Sequence, residues 1–103
     1  MSISINDITD RDTFLAFRAA WRTAYAAASQ DVRDVNRDMR RLVADRRSGA
    51  LTADVVDGRM SGKQYDRHLA RASARELMEL LEEAKERRTA LLAARDEAEA
   101  AAA

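Results

Sequence analysis

Lys63, Arg67, Arg71 and Arg75 recur every four residues, and Arg33, Arg37 and Arg41 repeat the same step earlier in the chain. On a helix this spacing gathers each set into one cationic ridge. Like charges four apart weaken an isolated helix by about 0.2–0.5 kcal/mol per pair, so an anion is needed nearby. Two sources of that anion are open. The first is internal: if the chain turns back near residue 54 or 55, Asp34 lies level with Arg75 and Asp38 with Arg71. The second is external, an acidic protein surface or a nucleic acid. Residues 31–75 hold eleven Lys and Arg against seven Asp, a net +4, while the whole chain balances eighteen cations with eighteen anions. The remainder is therefore net −4, and the charge is separated along the chain. A basic region of this kind suits phosphate contact. Tyr65 is the one aromatic within it, too few for reading single strands by stacking.

Other chemistry is sparse. His68 is the sole histidine and stands among arginines, which suits a surface position better than catalysis. Glu76, Glu79, Glu82, Glu83 and Glu86 crowd one part of the sequence. A carboxylate-bridged metal pair in a helical bundle wants Glu-x-x-His, which does not occur. Asp54, Asp57 and Gly58 fit a calcium loop only with Ala53 at the first ligand position, so that match fails. Gly58 to Lys63 lacks the strand, the glycine spacing and the final Ser or Thr of a phosphate-binding loop. With no Cys and no base beside any Ser or Thr, no activated nucleophile is evident. These residues predict neither an enzyme nor a cofactor or metal site.

The elements that must carry the ridges are legible from an apolar repeat. Phe14, Trp21, Ala28, Val35 and Leu42 stand seven apart. Arg18, Tyr25, Val32, Met39 and Arg46 form the companion set. A seam of this period, without proline, predicts a helix that packs lengthwise on another helix. We expect an extended arm over 1–8, where Ile3, Ile5 and Ile8 alternate with polar residues, free to lie on a helix or to add to a partner's sheet edge, and a first helix over 9–47. Thr9 or Asp10 would cap that helix and Gly49 would close it. The three glycines mark a connector over 48–61 with a possible short helix at 52–57. A second helix over 62–100 would open on Ser61 with Gln64 completing a capping box. Its stripe would be Tyr65, Leu69, Ala72, Leu77, Leu80, Leu81, Ala84, Leu91 and Leu92. In the register above, Trp21 lies level with Arg88 and Phe14 with Arg95. Arginine stacking and burial in the bundle are both open to these rings, burial being the commoner fate.

The fold class expected is all-α, an antiparallel, coiled-coil-like hairpin with a short structured connector. A lone hairpin leaves Phe17, Ala20, Ala24, Ala27, Val43, Met78 and Leu92 beside the seam in water. Pairing of two copies into a four-helix bundle would cover them, so a homodimer is expected unless a different protein covers that face. Helix packing and dimerisation would rest on Phe14, Trp21, Tyr25, Val32, Val35, Met39, Leu42, Leu77 and Leu81. A partner would meet the basic hairpin tip at Arg37, Arg41, Lys63, Arg67, His68, Arg71 and Arg75. No apolar run approaches the ~20 residues that span a bilayer, and residues 1–8 lack a secretory signal. A cytoplasmic chain without membrane partners is expected.

Trp21-Arg22 followed by Tyr25, then an arginine-rich helix, a glycine-containing break and a Leu/Ala/Arg/Glu helix, resembles small helical proteins of phage and prophage gene clusters. The resemblance spans residues 12–92. It implies an accessory or inhibitor protein that binds a host protein or nucleoprotein, and it assigns no site. The residues themselves predict a non-catalytic interaction module. Direct nucleic-acid binding or a structural assembly role are the alternatives.

Overall fold

The computed structural model describes residues 4–103; the part of the expected arm that holds Ile3 lies outside the described residues. The chain is all-α. A single 3-10 turn, Ile5–Asp7, precedes two long helices, α1 (Arg11–Ser48) and α2 (Ala53–Ala102). Contacts divide it into two units, one of Met1–Tyr25 with Glu76–Ala103 and one of Ala26–Arg75. We call these the terminal unit and the turn unit. In each, a segment of α1 runs antiparallel to a segment of α2.

Asp10 starts α1. Its carboxylate accepts the Thr13 amide at 2.8 Å, and the Thr13 hydroxyl accepts the Asp10 amide at 2.9 Å. Two of the otherwise unpaired N–H groups of the first turn are thereby satisfied reciprocally. Bonds from the Thr13 backbone and side chain hold the Asp10 carboxyl below its ordinary range.

The connector is shorter than the sequence suggests. Gly49 takes a positive φ of 78° and donates its amide to the Arg46 carbonyl, closing α1. Thr52 then caps α2, with its hydroxyl 3.4 Å from the Val55 amide. The expected connector over 48–61 thus contracts to residues 49–52, and residues 53–61 belong to the second helix. Gly58 and Gly62 lie inside α2, and Ser61 bonds back to the Asp57 carbonyl instead of opening a helix. An exposed glycine costs a helix only about 1 kcal/mol, which the neighbouring packing of Val56 offsets. A contrast follows. A Cβ at Gly58 or Gly62 meets nothing within 4 Å, so Gly58→Ala and Gly62→Ala are expected to stabilise by about 0.5–1 kcal/mol each. Gly49→Ala is expected to destabilise by about 1–2 kcal/mol from its left-handed backbone. Urea denaturation followed by circular dichroism reads both, and a loss of stability in Gly58→Ala would mean a turn at that position.

The terminal unit holds the larger core. Ile8, Phe14, Phe17, Trp21 and Ala84 are buried, with Ile5, Leu15, Tyr25, Leu77, Leu80, Leu81 and Leu91 packed on them. Residues 5–8 therefore lie on the helices, but as a 3-10 turn and not as an extended arm. Their turn places Ile8, fully buried, against the helices, and Arg87 donates from Nε to the Ile8 carbonyl at 2.7 Å. This also covers Phe17, expected to be wet and instead 6% exposed. The Trp21 indole N–H donates to the Leu77 carbonyl, and its ring stacks on Tyr25 at 4.9 Å between centroids. The arginine over Phe14 is Arg88, 5.0 Å from the ring centre, and not the expected Arg95.

In the turn unit, Ala28, Leu42 and Val56 are buried. Val32, Val35 and Met39 are half-buried on α1, as are Met60, Lys63, Arg67, Ala70 and Ala74 on α2. The seam of α2 is a heptad, Val56-Met60-Lys63-Arg67-Ala70-Ala74-Leu77-Leu81-Ala84, and Tyr65 and Leu69 do not belong to it. They are 62% and 48% exposed. Charged side chains can hold such positions because their methylene stems bury while the heads reach out. No helix among the described residues is long and apolar enough to cross a membrane.

Candidate functional site

The turn unit carries all seven residues expected at the basic tip, and it separates them. Asp38 meets Lys63 at 3.0 Å, eight residues before the Arg71 expected opposite it. Arg37 reaches Asp34 and Asp38, each at 3.5 Å, and Arg46 reaches Asp57 at 3.6 Å. The expected ladder of Asp34 with Arg75 and Asp38 with Arg71 does not form, because the turn centres on residues 50–51 and shifts α2 by about two turns. Arg37 and Lys63 are thus neutralised internally. Arg41, Arg67, Arg71 and Arg75 make no ion pair among the described residues.

Side matters as much as pairing. At 100° per residue, Asp31, Asp34, Asp38 and Arg41 flank the α1 seam on one side, and Asp66, Leu69 and Ser73 flank the α2 seam on the same side. All of these except Arg41 line a groove of about 370 Å³ around Val35 and Ala70. Across the seam lie Arg33, Arg40 and Arg47, exposed and seven apart on α1, with His68, Arg71 and Arg75 exposed on α2. Arg40 and Arg47 flank a shallow hollow with Val43 and Ala44. Arg33 bonds only Gln30, and none of these five arginines pairs with a carboxylate among the described residues. The turn unit therefore has an acidic groove on one side and, on the other, an arginine stripe that runs about 20 Å along α1.

Arg40 and Arg47 were missed by the four-residue ridges. The seven-residue step from Arg33 through Arg40 to Arg47 is the signal that finds them, since the same step defines the seam. The ladder expectation gives Asp34 and Asp38 only the role of pairing partners and does not include Asp31. Among the described residues no group of three or more His, Cys, Asp or Glu is placed to hold a metal ion.

The hydrogen bond from Lys63 is the main reason the Asp38 carboxyl titrates below its ordinary range. Partial desolvation opposes it, and the charges of Lys63 and Arg37 add to it. A depressed folded value stabilises the native state above the unfolded Asp value of about 3.9, and that gain disappears as pH falls through the lower folded value. Both partners are about a third exposed, 34% and 32%, so the contribution to stability is small. The expected observation is an Asp38 midpoint below that of ordinary aspartate in a carbon-detected NMR titration. Lys63→Met should return it upward. An ordinary midpoint in the unaltered protein would mean that the ion pair is not held.

No family model, curated protein or solved structure matches this chain.

Proposed function

We propose that the chain is a non-catalytic interaction module that presents the arginine stripe of its turn unit to an acidic protein surface. One observation carries this reading. The arginines of the stripe find no carboxylate among the described residues, although four aspartates stand on the other side of the same seam. Unsatisfied charge on one side with opposite charge across from it favours a partner approached in one orientation. In the setting the resemblance implies, that partner is a host protein or nucleoprotein complex and the chain is an accessory or inhibitor of it.

Direct nucleic-acid binding uses the same stripe and is the second reading. The acidic groove limits a duplex to one side, and Tyr65, the nearest aromatic, falls outside the stripe, which favours protein. Self-association belongs to the proposal as well. Val43, Tyr65, Leu69 and Met78 remain 40–62% exposed, and a second copy forming a four-helix bundle would cover apolar surface of this kind.

Recovery of bound partners from the native host, with and without nuclease and across a salt series, tests the choice. A protein partner is retained after nuclease and weakens gradually with salt. Loss on nuclease treatment, with a steep log-linear salt slope, would assign nucleic acid instead.

A further inference from the structure

The terminal unit holds a feature that the interaction reading does not use. Between the first turns of α1 and the last third of α2 lies a cavity of about 450 Å³, within the size range of small-molecule sites. Its apolar lining comes from Phe14, Leu15, Leu91 and Leu92. Phe14 is 4% exposed and Leu92 47%, so the lining runs from core to open rim. Four arginines, Arg11, Arg18, Arg88 and Arg95, stand around it. They form two pairs seven residues apart on the two helices, a spacing of about 10 Å along the axis. Because the helices run antiparallel with Arg88 over Phe14, Arg18 and Arg88 lie toward one end. Arg11 and Arg95 lie toward the other.

Charge in the cavity is weakly offset. Arg95 bonds Glu99 at 3.1 Å, with both groups mostly in solvent. Arg11, Arg18 and Arg88 make no ion pair among the described residues. Asp10 also lines the cavity, but its carboxylate accepts the amide and hydroxyl of Thr13, both at 2.8 Å, and is committed to the helix start. The region is net acidic by sequence, yet the cavity gathers cations.

We infer that this cavity is a binding site for a small amphiphilic anion, a medium-chain carboxylate or alkyl phosphate. Its chain lies on Leu15, Leu91 and Leu92, over the buried Phe14, and its head is taken by the Arg18 and Arg88 guanidinium groups. Both halves of the ligand are needed. Apolar lining alone would accept a neutral chain, and arginines alone would accept any anion.

The test is an amide NMR titration of the full chain with octanoate, 1-octanol and inorganic phosphate in parallel. Octanoate is expected to move the Phe14, Leu15 and Leu91 amides saturably, with octanol and phosphate at least roughly tenfold weaker. Arg18→Gln and Arg88→Gln should each weaken octanoate roughly tenfold, as loss of a charge-assisted contact does. Leu92→Glu sets a carboxylate on the exposed rim and should abolish binding while leaving helicity unchanged, so a folding defect is distinguishable. Equal binding of octanol or of phosphate overturns the inference. So does failure to saturate through the millimolar range, or capture on anionic vesicles without saturable binding of octanoate. Shifts that follow protein concentration alone would give the face to a second copy and overturn it too.

Discussion

Trp21→Ala is expected to remove about 3–5 kcal/mol of stability, a large part of what a chain of this size possesses. Three losses coincide at this position. The indole is 9% exposed within the cluster of Ile8, Phe14, Phe17 and Ala84, and truncation opens a cavity there. Its N–H no longer reaches the Leu77 carbonyl, which ties α1 to α2 in the terminal unit. The stacked Tyr25 ring loses its neighbour. Trp21→Phe separates these terms, because it retains most of the volume and stacking and gives up the hydrogen bond, for about 1 kcal/mol. Urea denaturation followed at 222 nm ranks the two. Hydrogen exchange should place the loss at the amides of residues 14–25 and 77–91. A Trp21→Ala protein within 1 kcal/mol of the parent would mean that the ring is not packed as described.

The first helix was legible because its seam is written in large residues. Phe14, Trp21, Val35 and Leu42 mark a period of seven, and Thr9 or Asp10 marks where it starts; the reciprocal bonds with Thr13 single out Asp10. The second helix was harder. Its seam in the turn unit holds Lys63, Arg67, Ala70 and Ala74, while Tyr65 and Leu69, the residues that look apolar, face water. Pattern reading assigns positions by side-chain type, and long charged side chains with buried stems defeat it. Register failed for a different reason. A heptad laid against a heptad matches equally well after a slip of seven residues, so the seam cannot choose between Arg88 and Arg95 over Phe14. Only the connector decides, and its length depends on whether three glycines mean one turn or a turn and two helical glycines. Gly49 alone adopts a positive φ. Once the connector shrinks to four residues, the aspartates exchange their expected partners and the arginine stripe is left unpaired. The cavity in the terminal unit was hidden by regional charge. Net acidity there conceals Arg11 with Arg18 and Arg88 with Arg95, again seven apart.

Reversing Arg71 and Arg75 together to Glu is expected to weaken partner capture by at least about 100-fold, while Arg37→Glu has a much smaller effect. The distinction rests on where each charge already goes. Arg37 lies against Asp34 and Asp38, so its reversal disturbs an exposed internal pair worth little, and the stripe is untouched. Arg71 and Arg75 are exposed and have no carboxylate among the described residues, so on the proposed reading their charge is met by the partner. Placing carboxylates against an acidic surface substitutes repulsion for attraction, and like-charge contacts at an interface cost several kcal/mol. The pair is preferable to Arg67, which sits half-buried in the seam and whose reversal would also disturb helix packing. Circular dichroism of the Arg71→Glu, Arg75→Glu protein should match the parent, since neither side chain supports the fold. Capture that survives this change, or that falls equally with Arg37→Glu, would place the working surface elsewhere. The ion pairs between the helices determine which arginines remain for a partner, so the hairpin register and the proposed function stand on the same contacts, those of Asp38 with Lys63 and of Arg46 with Asp57.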